Sequence, residues 1–390
     1  MFQNIRNVQR EVHVTIVAMS NSRVVLVGGG SGGHFYPLMA IAESLRSDPG
    51  VPQLYYFGPN EYDANALTQN NIRFVYCPAG KRRRYHSVLN MLDVGKTLYG
   101  VFVAIIQLFL IYPDVVMSKG GFTSVPVTIA ARFLRIPVVI HESDATPGKA
   151  NKLAGKFAKH VAISYEETAK FFSRKPTTVT GAPIRKELLA PPSMGATATL
   201  GLDESKPTIL VLGGSQGAER VNQLIVDSLD ELLPHYNIIH QTGKQNFDVT
   251  LALVKELITD ATLLNMYRPV PFLESTVLNQ AMHAATLIIS RAGSGTIHEI
   301  AVHGKPSILI PIPEEISHDQ RTNAYTYARK GATIVIEEAN LKDGLIASEI
   351  ERIIGDSKLY TEMSAAAASF GKTDASETIA NILLGIIKLH

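Results

Sequence analysis

Short runs of consecutive apolar residues recur along the chain, and helix-like segments separate them. The runs lie at 24–27, 53–57, 115–117, 137–140, 160–163, 208–212, 237–240, 287–290 and 307–310. Runs without polar alternation are typical of parallel strands that are buried on both faces. Between the first two runs, Leu38, Ile41, Ala42 and Leu45 recur at helical spacing. The pattern predicts an α/β protein with doubly wound parallel sheets in both halves of the chain.

A glycine-rich turn follows an apolar run twice. The first turn reads GGGSGG at 28–33, the second reads GGSQGA at 213–218, and a helix-like segment follows each. Such turns let the backbone N–H groups at a helix N-terminus approach a phosphate. Two copies about 185 residues apart predict two α/β domains that face each other across a cleft.

Length and charge refine this organisation. The chain has 390 residues, which suits two domains, and its one cysteine, Cys77, indicates a reducing compartment. Basic residues outnumber acidic ones 22 to 12 in residues 1–190, whereas the balance is 15 to 23 in residues 191–390. We predict an N-terminal domain at 1–189, a linker at 190–206, a C-terminal domain at 207–370, and a last helix at 371–390 that packs back on the first domain.

The basic first half predicts an anionic partner, for which a phosphorylated substrate, an acidic membrane and nucleic acid all qualify. Residues 1–20 lack the pattern of a signal peptide. The apolar run at 98–112 has about 15 residues, fewer than the roughly 20 that span a bilayer. Basic residues at 81–84 precede it, which is typical of a membrane interface, although a solvated turn before a core helix fits as well. No stacking aromatics accompany the basic residues, so no nucleic-acid partner is expected.

In the first half, three strand ends carry candidate chemistry. His34 follows the first glycine turn, where a neutral imidazole can serve as a base or bind a pyrophosphate; a helix-capping role is the alternative. The segment SKGGFTS at 118–124 is a third glycine turn. Glu142 and Asp144 follow another strand, where a carboxylate can bind substrate or serve as a base; the alternative is that Asp144 caps a helix and Glu142 is a structural hydrogen-bond acceptor. Arg185 suits a diphosphate or a surface ion pair.

In the second half, the segment SRAGSGT at 290–296 again joins a strand to a helix. Its small residues let a nucleotide approach the backbone. Glu299 suits ribose hydroxyls, or else it is a favourable first-turn charge on the helix. Gln320 and Asn323, after the next strand, suit sugar hydroxyls.

Taken together, these segments resemble the MurG family, the transferases that convert lipid I to lipid II in bacterial peptidoglycan synthesis. The segments that carry the resemblance are 28–37, 113–124, 136–142, 213–222, 240–244, 290–306 and 319–324. The resemblance implies a GT-B fold of two Rossmann-like domains, an inverting transfer of GlcNAc from UDP-GlcNAc to the C4 hydroxyl of MurNAc in undecaprenyl-pyrophosphoryl-MurNAc-pentapeptide, and no cofactor or metal. It also implies a peripheral protein at the cytoplasmic face of the membrane, attached through its N-terminal domain.

The resemblance assigns Ser215 and Gln216 to the donor phosphates and sugar, Glu299 to the ribose, and His34 with the first turn to the acceptor pyrophosphate. The resulting catalytic candidates are His34 and Glu142. The substrate-binding candidates are Ser31, Gly32, Gly33, Asp144, Arg185, Ser215, Gln216, Gly217, Arg291, Gly293, Ser294, Glu299, Gln320 and Asn323.

The chain departs from the family pattern at three places. It reads HESD at 141–144 where the family often has HEQN, GAPIR at 181–185 where the family often has GNPVR, and one glutamine, Gln320, where two are common. The identity of the base stays open among His34, Glu142 and Asp144. Three other functions share these features: a GT-B transferase with another acceptor, a UDP-GlcNAc 2-epimerase, and a non-catalytic sugar-nucleotide-binding subunit.

Overall fold

The computed structural model describes residues 22–47, 50–81, 89–192, 195–214, 217–314 and 318–389. The chain forms two compact units. Unit 1 comprises Met1–Arg185 together with Asp374–His390, and unit 2 comprises Lys186–Thr373. The segment 190–206 therefore belongs to unit 2, and the C-terminal residues belong to unit 1.

Each unit is built on one sheet in which all the strands are parallel. Among the described residues, the strands of unit 1 are β1 (Arg23–Gly28), β2 (Gln53–Gly58), β3 (Ile72–Tyr76), β4 (Val115–Gly120), β5 (Val138–Glu142), β6 (His160–Ile163) and β7 (Thr177–Val179). Those of unit 2 are β8 (Thr208–Leu212), β9 (Asn237–Gln241), β10 (Tyr267–Val270), β11 (Leu287–Ser290), β12 (Ser307–Leu309) and β13 (Thr333–Val335).

The helices alternate with these strands. In chain order they are α1 (Gly32–Arg46), α2 (Ala64–Gln69), α3 (Leu89–Ile111), α4 (Ser124–Phe133), α5 (Lys149–Gly155), α6 (Lys186–Leu189), α7 (Ala196–Thr199), α8 (Glu219–Asp227), α9 (Leu229–Leu232), α10 (Phe247–Leu257), α11 (Ala261–Leu264), α12 (Ser275–Ala284), α13 (Ser294–Val302), α14 (His318–Ala328), α15 (Leu345–Gly355), α16 (Ser357–Phe370) and α17 (Ala375–Ile387). Two short 3₁₀ helices lie at Glu166–Phe172 and Glu338–Asn340.

The two sheets share one topology. The strand order is β3-β2-β1-β4-β5-β6-β7 in unit 1 and β10-β9-β8-β11-β12-β13 in unit 2. In both sheets the order reverses beside the first strand, between β1 and β4 and between β8 and β11. The carboxyl ends of the strands at such a reversal flank the crevice in which doubly wound folds bind ligands. Both predicted glycine turns lie at these points, because they follow β1 and β8.

The core of unit 1 has helices on both faces of its sheet. Val24 and Leu26 of β1 pack on the side of α1 and α17, whereas Val25 and Val27 pack on the side of α3, α4 and α5. Successive strand residues point to opposite faces, so a strand covered on both faces must be apolar throughout. This packing explains the continuous apolar runs in the sequence and confirms the doubly wound fold.

The helix α3 is longer than the apolar run from which it was expected. It begins at Leu89, and its stretch Leu92–Ile111 is long and apolar enough to cross a membrane by length and composition alone. One side of α3 packs on α4 and buries Ala104 and Leu108 in the core of unit 1. A helix with one face in a protein core is not surrounded by lipid, so the structure favours α3 as part of the folded unit.

Candidate functional site

In unit 1, the first glycine turn brings the start of α1 to the end of β1. Gly29 and Gly30 are required sterically, because a Cβ would lie 2.7 Å from the Tyr56 hydroxyl at Gly29 and 2.6 Å from the Phe122 ring at Gly30. A Cβ on Gly33, in contrast, would meet nothing closer than 4.0 Å. The first turn of a helix has N–H groups without intrahelical partners, so this open turn can accept an anion.

His34 lies in that first turn of α1 and is half-buried. Its Nδ1 is 2.8 Å from the Ser31 hydroxyl, and its ring lies against Gly121, 3.5 Å from where a Cβ would stand. Burial and the nearby Lys119 lower the pKa of His34 to about 4. The imidazole is therefore neutral near pH 7, as a proton acceptor must be.

Glu142 ends β5 and is 4% exposed. One carboxylate oxygen accepts from the Asp144 N–H at 3.0 Å, and the other accepts from the Gly148 N–H and the Asn151 amide at 3.0 Å each. These bonds fix the loop that joins β5 to α5. They favour the structural interpretation of Glu142, and His34 is the better candidate for the base.

Asp144 is half-buried in the same loop and does not cap α5, whose N-cap residue is Gly148. Arg185, the last residue of this part of unit 1, lies over the ring of Tyr36 in α1, with the guanidinium carbon 4.8 Å from the ring centre. Ser31, Gly32, Gly33 and His34 share the start of α1, so Arg185 packs on the helix that carries them.

In unit 2, a cavity of about 700 Å³ opens at the carboxyl ends of β8 and β11. Its walls come from the second glycine turn, the first turns of α8 and α13, and the segments after β12 and β13. The lining residues are Leu212, Gly213, Gly214, Gly217, Ala218, Glu219, Arg220, Gln223, Ser290, Arg291, Gly293, Thr296, Ile312, Pro313, Gln320 and Glu338.

Two helix N-termini meet at this cavity. The α8 helix begins at Glu219 and α13 begins at Ser294, with Gly293 as its N-cap residue. A Cβ at Gly293 would meet no atom within 4 Å, so the backbone there is open to a ligand. Helix N-termini carry partial positive charge, so the cavity suits an anionic group.

Charged side chains complete the wall. The Arg291 guanidinium is 2.6 Å from the Glu338 carboxylate and donates to the carbonyl of Ile310 at 3.2 Å. Arg220 lies exposed on α8 and forms no ion pair with another described residue. Because Glu338 offsets the charge of Arg291, Arg220 is the described cation in this wall that can pair with an anionic ligand.

The structure brings together four of the residues that were predicted from the second half of the sequence to bind substrate. Gly217, Arg291, Gly293 and Gln320 line the cavity, and the Gln320 side-chain oxygen accepts from the Ile312 N–H at 3.2 Å. Three candidates lie outside the lining: Ser294 and Asn323, which are buried, and Glu299, which is half-buried. Ser215 and Gln216 fall outside the described residues.

Four residues at the sites were not predicted. Arg220 and Gln223 are three apart, so their shared helix face was a usable signal. Glu338 follows β13, which the apolar pattern did not reveal, so nothing in the sequence indicated it. Lys119 was noted only as part of the third glycine turn, although it is 2% exposed beneath the first one.

The fold and these sites define a class: a two-unit GT-B glycosyltransferase with a glycine-rich turn at the strand-order reversal of each unit. Residues 24–163 match the glycosyltransferase family 28 N-terminal domain, and residues 208–379 match its C-terminal domain. A relative from Thermodesulfovibrio yellowstonii is 35% identical over 94% of this chain and 99% of its own, and one from Clostridium novyi is 36% identical over 88% and 93%. Both are named UDP-N-acetylglucosamine–N-acetylmuramyl-(pentapeptide) pyrophosphoryl-undecaprenol N-acetylglucosamine transferase.

The chain belongs to the MurG family of glycosyltransferases. The crystal structure of Acinetobacter baumannii MurG superposes with a TM-score of 0.72 at 26% identity, over 93% of this chain and 99% of that one. A UDP-GlcNAc 2-epimerase from Neisseria meningitidis superposes with a TM-score of 0.65 at 14% identity, over 93% of this chain and 100% of that one, which reflects the fold alone. The predicted family and fold are therefore confirmed.

Proposed function

We propose that this protein transfers GlcNAc from UDP-GlcNAc to the C4 hydroxyl of MurNAc in undecaprenyl-pyrophosphoryl-MurNAc-pentapeptide. Unit 2 binds the donor and unit 1 binds the acceptor. The observation that carries the proposal is the unit 2 cavity, in which two helix N-termini and Arg220 converge at the strand-order reversal. Membership of the MurG family supports the choice of donor and acceptor.

In this proposal the donor diphosphate lies at the second glycine turn. Negative charge develops on the diphosphate as the bond to the anomeric carbon breaks. The N–H groups of α8 and α13 and the Arg220 guanidinium stabilise that charge without reorganising, which is the most effective form of transition-state stabilisation. Gln320, oriented by its bond to the Ile312 N–H, is the candidate for a sugar hydroxyl.

The acceptor hydroxyl attacks from the face opposite the leaving group, which inverts the anomeric configuration. His34 takes the proton of that hydroxyl at Nε2, while its Nδ1–H donates to the Ser31 hydroxyl. The imidazole is available for this because its pKa, about 4, keeps it neutral. The open first turn of α1 binds the acceptor pyrophosphate.

Calorimetric titration with UDP-GlcNAc tests the donor half. A charge-assisted hydrogen bond contributes about 1.5–3 kcal/mol, so Arg220→Gln should weaken binding by roughly tenfold or more. The matched control is Lys255→Gln, because Lys255 is an exposed cation of unit 2 outside the cavity lining, and it should bind as the wild type does. Equal affinities for the two variants would remove Arg220 from the site, and no binding by the wild type would refute the donor assignment.

We also propose that unit 1 attaches to the cytoplasmic face of the membrane through the outer face of α3. That face exposes large apolar side chains, among them Leu98, Phe102 and Phe109, the last at 67%. Phe133, at the end of the neighbouring α4, is 73% exposed between the exposed Arg132 and Arg135. An apolar face with flanking cations suits a helix that lies in the headgroup region of an anionic membrane.

Co-sedimentation with lipid vesicles tests this attachment. Each phenylalanine that enters the bilayer contributes about 1.5–3 kcal/mol, so Phe102→Ser/Phe109→Ser should reduce binding to phosphatidylglycerol vesicles at least about tenfold. The control Val249→Ser/Leu257→Ser removes two exposed apolar side chains of α10 in unit 2 and should bind as the wild type does. Equal binding by the two double variants would contradict attachment through α3.

A further inference from the structure

The third glycine turn contains a buried lysine to which the proposed function gives no role. Lys119 lies on β4, one residue before Gly120, and is 2% exposed. Its ammonium donates to the Ser143 hydroxyl in the loop after β5. A lysine so deeply buried is rare unless it is paired, so its surroundings must contain compensating charge.

Two carboxylates supply that charge. Burial lowers the pKa of Lys119, and the negative charges of Glu142 and Asp144 oppose that effect. Glu142 accepts three N–H donors, an arrangement that favours the ionised carboxylate. Burial raises the pKa of Glu142, and these three bonds and the charge of Lys119 oppose that effect. Lys119 and Glu142 therefore stabilise each other's charge, and Asp144, which stands where the family often has an amide, adds a second negative charge that acts on the lysine.

The same lysine adjoins His34. The β1 and β4 strands are neighbours, and Gly28 pairs with Gly120 after a shift in register. Lys119 and the His34 carbonyl both pack against Gly28, while the His34 ring packs against Gly121. Lys119 and His34 thus lie at the ends of adjacent strands, with the Lys119 Cβ against Gly28 of the first glycine turn and the His34 ring against Gly121 of the third.

Among the described residues, the charge that acts on the imidazole is that of Lys119 on β4, and Glu142 at the end of β5 and Asp144 in the following loop act on Lys119. The charge of Lys119 opposes protonation of the ring. Removal of the ammonium would take away the repulsion and also leave uncompensated negative charge near the ring, and both changes favour the imidazolium.

We propose that Lys119 is a positioning residue for His34, whose buried ammonium, held in place by Ser143, Glu142 and Asp144, keeps the imidazole free of a proton. The proposal rests on the proposed function only for the role of His34 as the base. It also explains the carboxylate at Asp144, because Asp144, in the loop after β5, balances the charge of Lys119 on β4.

Titration of the His34 ring by NMR, with ¹³C-labelled histidine, tests the proposal in the full chain. The resonance is assigned by its loss in His34→Gln. In the wild type the midpoint should lie at about 4. In Lys119→Met it should rise by about one pH unit or more, the size expected for one nearby charge, whereas Lys119→Arg should keep the low midpoint. The control Lys305→Met removes a lysine of unit 2 whose pKa burial also lowers, and it should leave His34 unchanged.

A folded Lys119→Met protein with an unchanged His34 midpoint would overturn the proposal. If that variant does not fold, Lys119→Met/Glu142→Gln removes both buried charges together, and the same criterion applies to it.

The pH dependence of kcat/KM separates this proposal from the proposed function. The acid limb of the Lys119→Met profile should move to higher pH together with the NMR midpoint. A midpoint that moves while the acid limb stays fixed would reject His34 as the base and leave the effect of Lys119 on His34 intact.

Discussion

At the scale of single residues, each unit contains a histidine, His34 or His240, whose imidazole burial keeps neutral. His240, at the end of β9, has no exposed surface, and burial lowers its pKa to about 3. Its Nε2 is 3.0 Å from the Asn222 side-chain oxygen and its Nδ1 is 2.8 Å from the Tyr267 hydroxyl. Because the Asn222 amide donates to the Thr242 carbonyl, its oxygen faces His240, and the network assigns the proton of His240 to Nε2. This network fixes the start of α8, and hence the wall of the donor cavity.

The neutral state of His240 predicts a pH dependence of stability. The pKa of His240 in the folded protein, about 3, lies below its ordinary value of 6.5. Between pH 6.5 and 3, His240 is therefore protonated in the unfolded chain but stays neutral in the folded protein. The free energy of unfolding should fall as pH drops from 6.5 toward 3, by about 1.4 kcal/mol per pH unit for this residue. Calorimetric unfolding between pH 7.5 and 5 should show a shallower slope in His240→Gln, since glutamine does not titrate. An unchanged slope would mean that His240 is protonated in the fold.

The sequence predicted those site residues that belong to a recognisable local sequence pattern. The glycine turns and His34 were predicted because they follow apolar runs directly. Lys119 and Arg220 were not predicted as site residues, because their importance depends on what the fold places around them: a buried loop for Lys119 and an open cavity wall for Arg220. Glu299 and Asn323 were predicted from their position after a strand, and neither lines the cavity.

At the scale of elements, the second glycine turn holds α8 close to β9. Gly217 has a φ of +80°, and a Cβ there would lie 2.5 Å from the Thr242 carbonyl oxygen. The left-handed conformation alone costs an L-residue about 1–2 kcal/mol. Gly385, in the last turn of α17, is the opposite case, because it is exposed and a Cβ there would meet no atom within 4 Å.

Alanine substitution at these two glycines should therefore have effects of opposite sign. Gly217→Ala should destabilise the protein by more than about 2 kcal/mol, since the backbone strain and the collision add. Gly385→Ala should stabilise it by about 0.4–1 kcal/mol, as expected where a glycine already has a helical conformation that alanine can adopt. Urea unfolding measures both. A neutral Gly217→Ala variant would mean that the turn can relax, and that its shape is not imposed by the packing.

Whether a strand could be predicted from the sequence depended on its place in the sheet. Among the described residues, the nine strands in the middle of the two sheets were predicted from their apolar runs, with ends correct to within three residues: β1, β2, β4, β5, β6, β8, β9, β11 and β12. The four that were missed, β3, β7, β10 and β13, are the edges of the two sheets. Edge strands are only partly buried, so their sequences mix polar and apolar residues and carry no continuous run.

At the scale of the whole molecule, one topology occurs twice, and we propose that its two copies bind different ligands. Both units place a glycine turn at the reversal of strand order, and this duplication was visible in the sequence. The halves differ in charge, with 22 basic and 12 acidic residues in 1–190 against 15 and 23 in 191–390. A basic first half suits an acceptor that is itself anionic and embedded in an anionic membrane.

The central claim is that the protein joins GlcNAc to lipid-linked MurNAc, and a transfer assay tests it most directly. The reaction contains labelled UDP-GlcNAc and a short-chain analogue of the lipid-linked acceptor, and its products are separated and sequenced. The account predicts a lipid-linked disaccharide with inverted anomeric configuration, and a loss of about 10²–10⁴-fold in rate for His34→Gln, as expected when a general base is removed. Intact binding of UDP-GlcNAc without this disaccharide, or release of the 2-epimer in its place, would contradict the account.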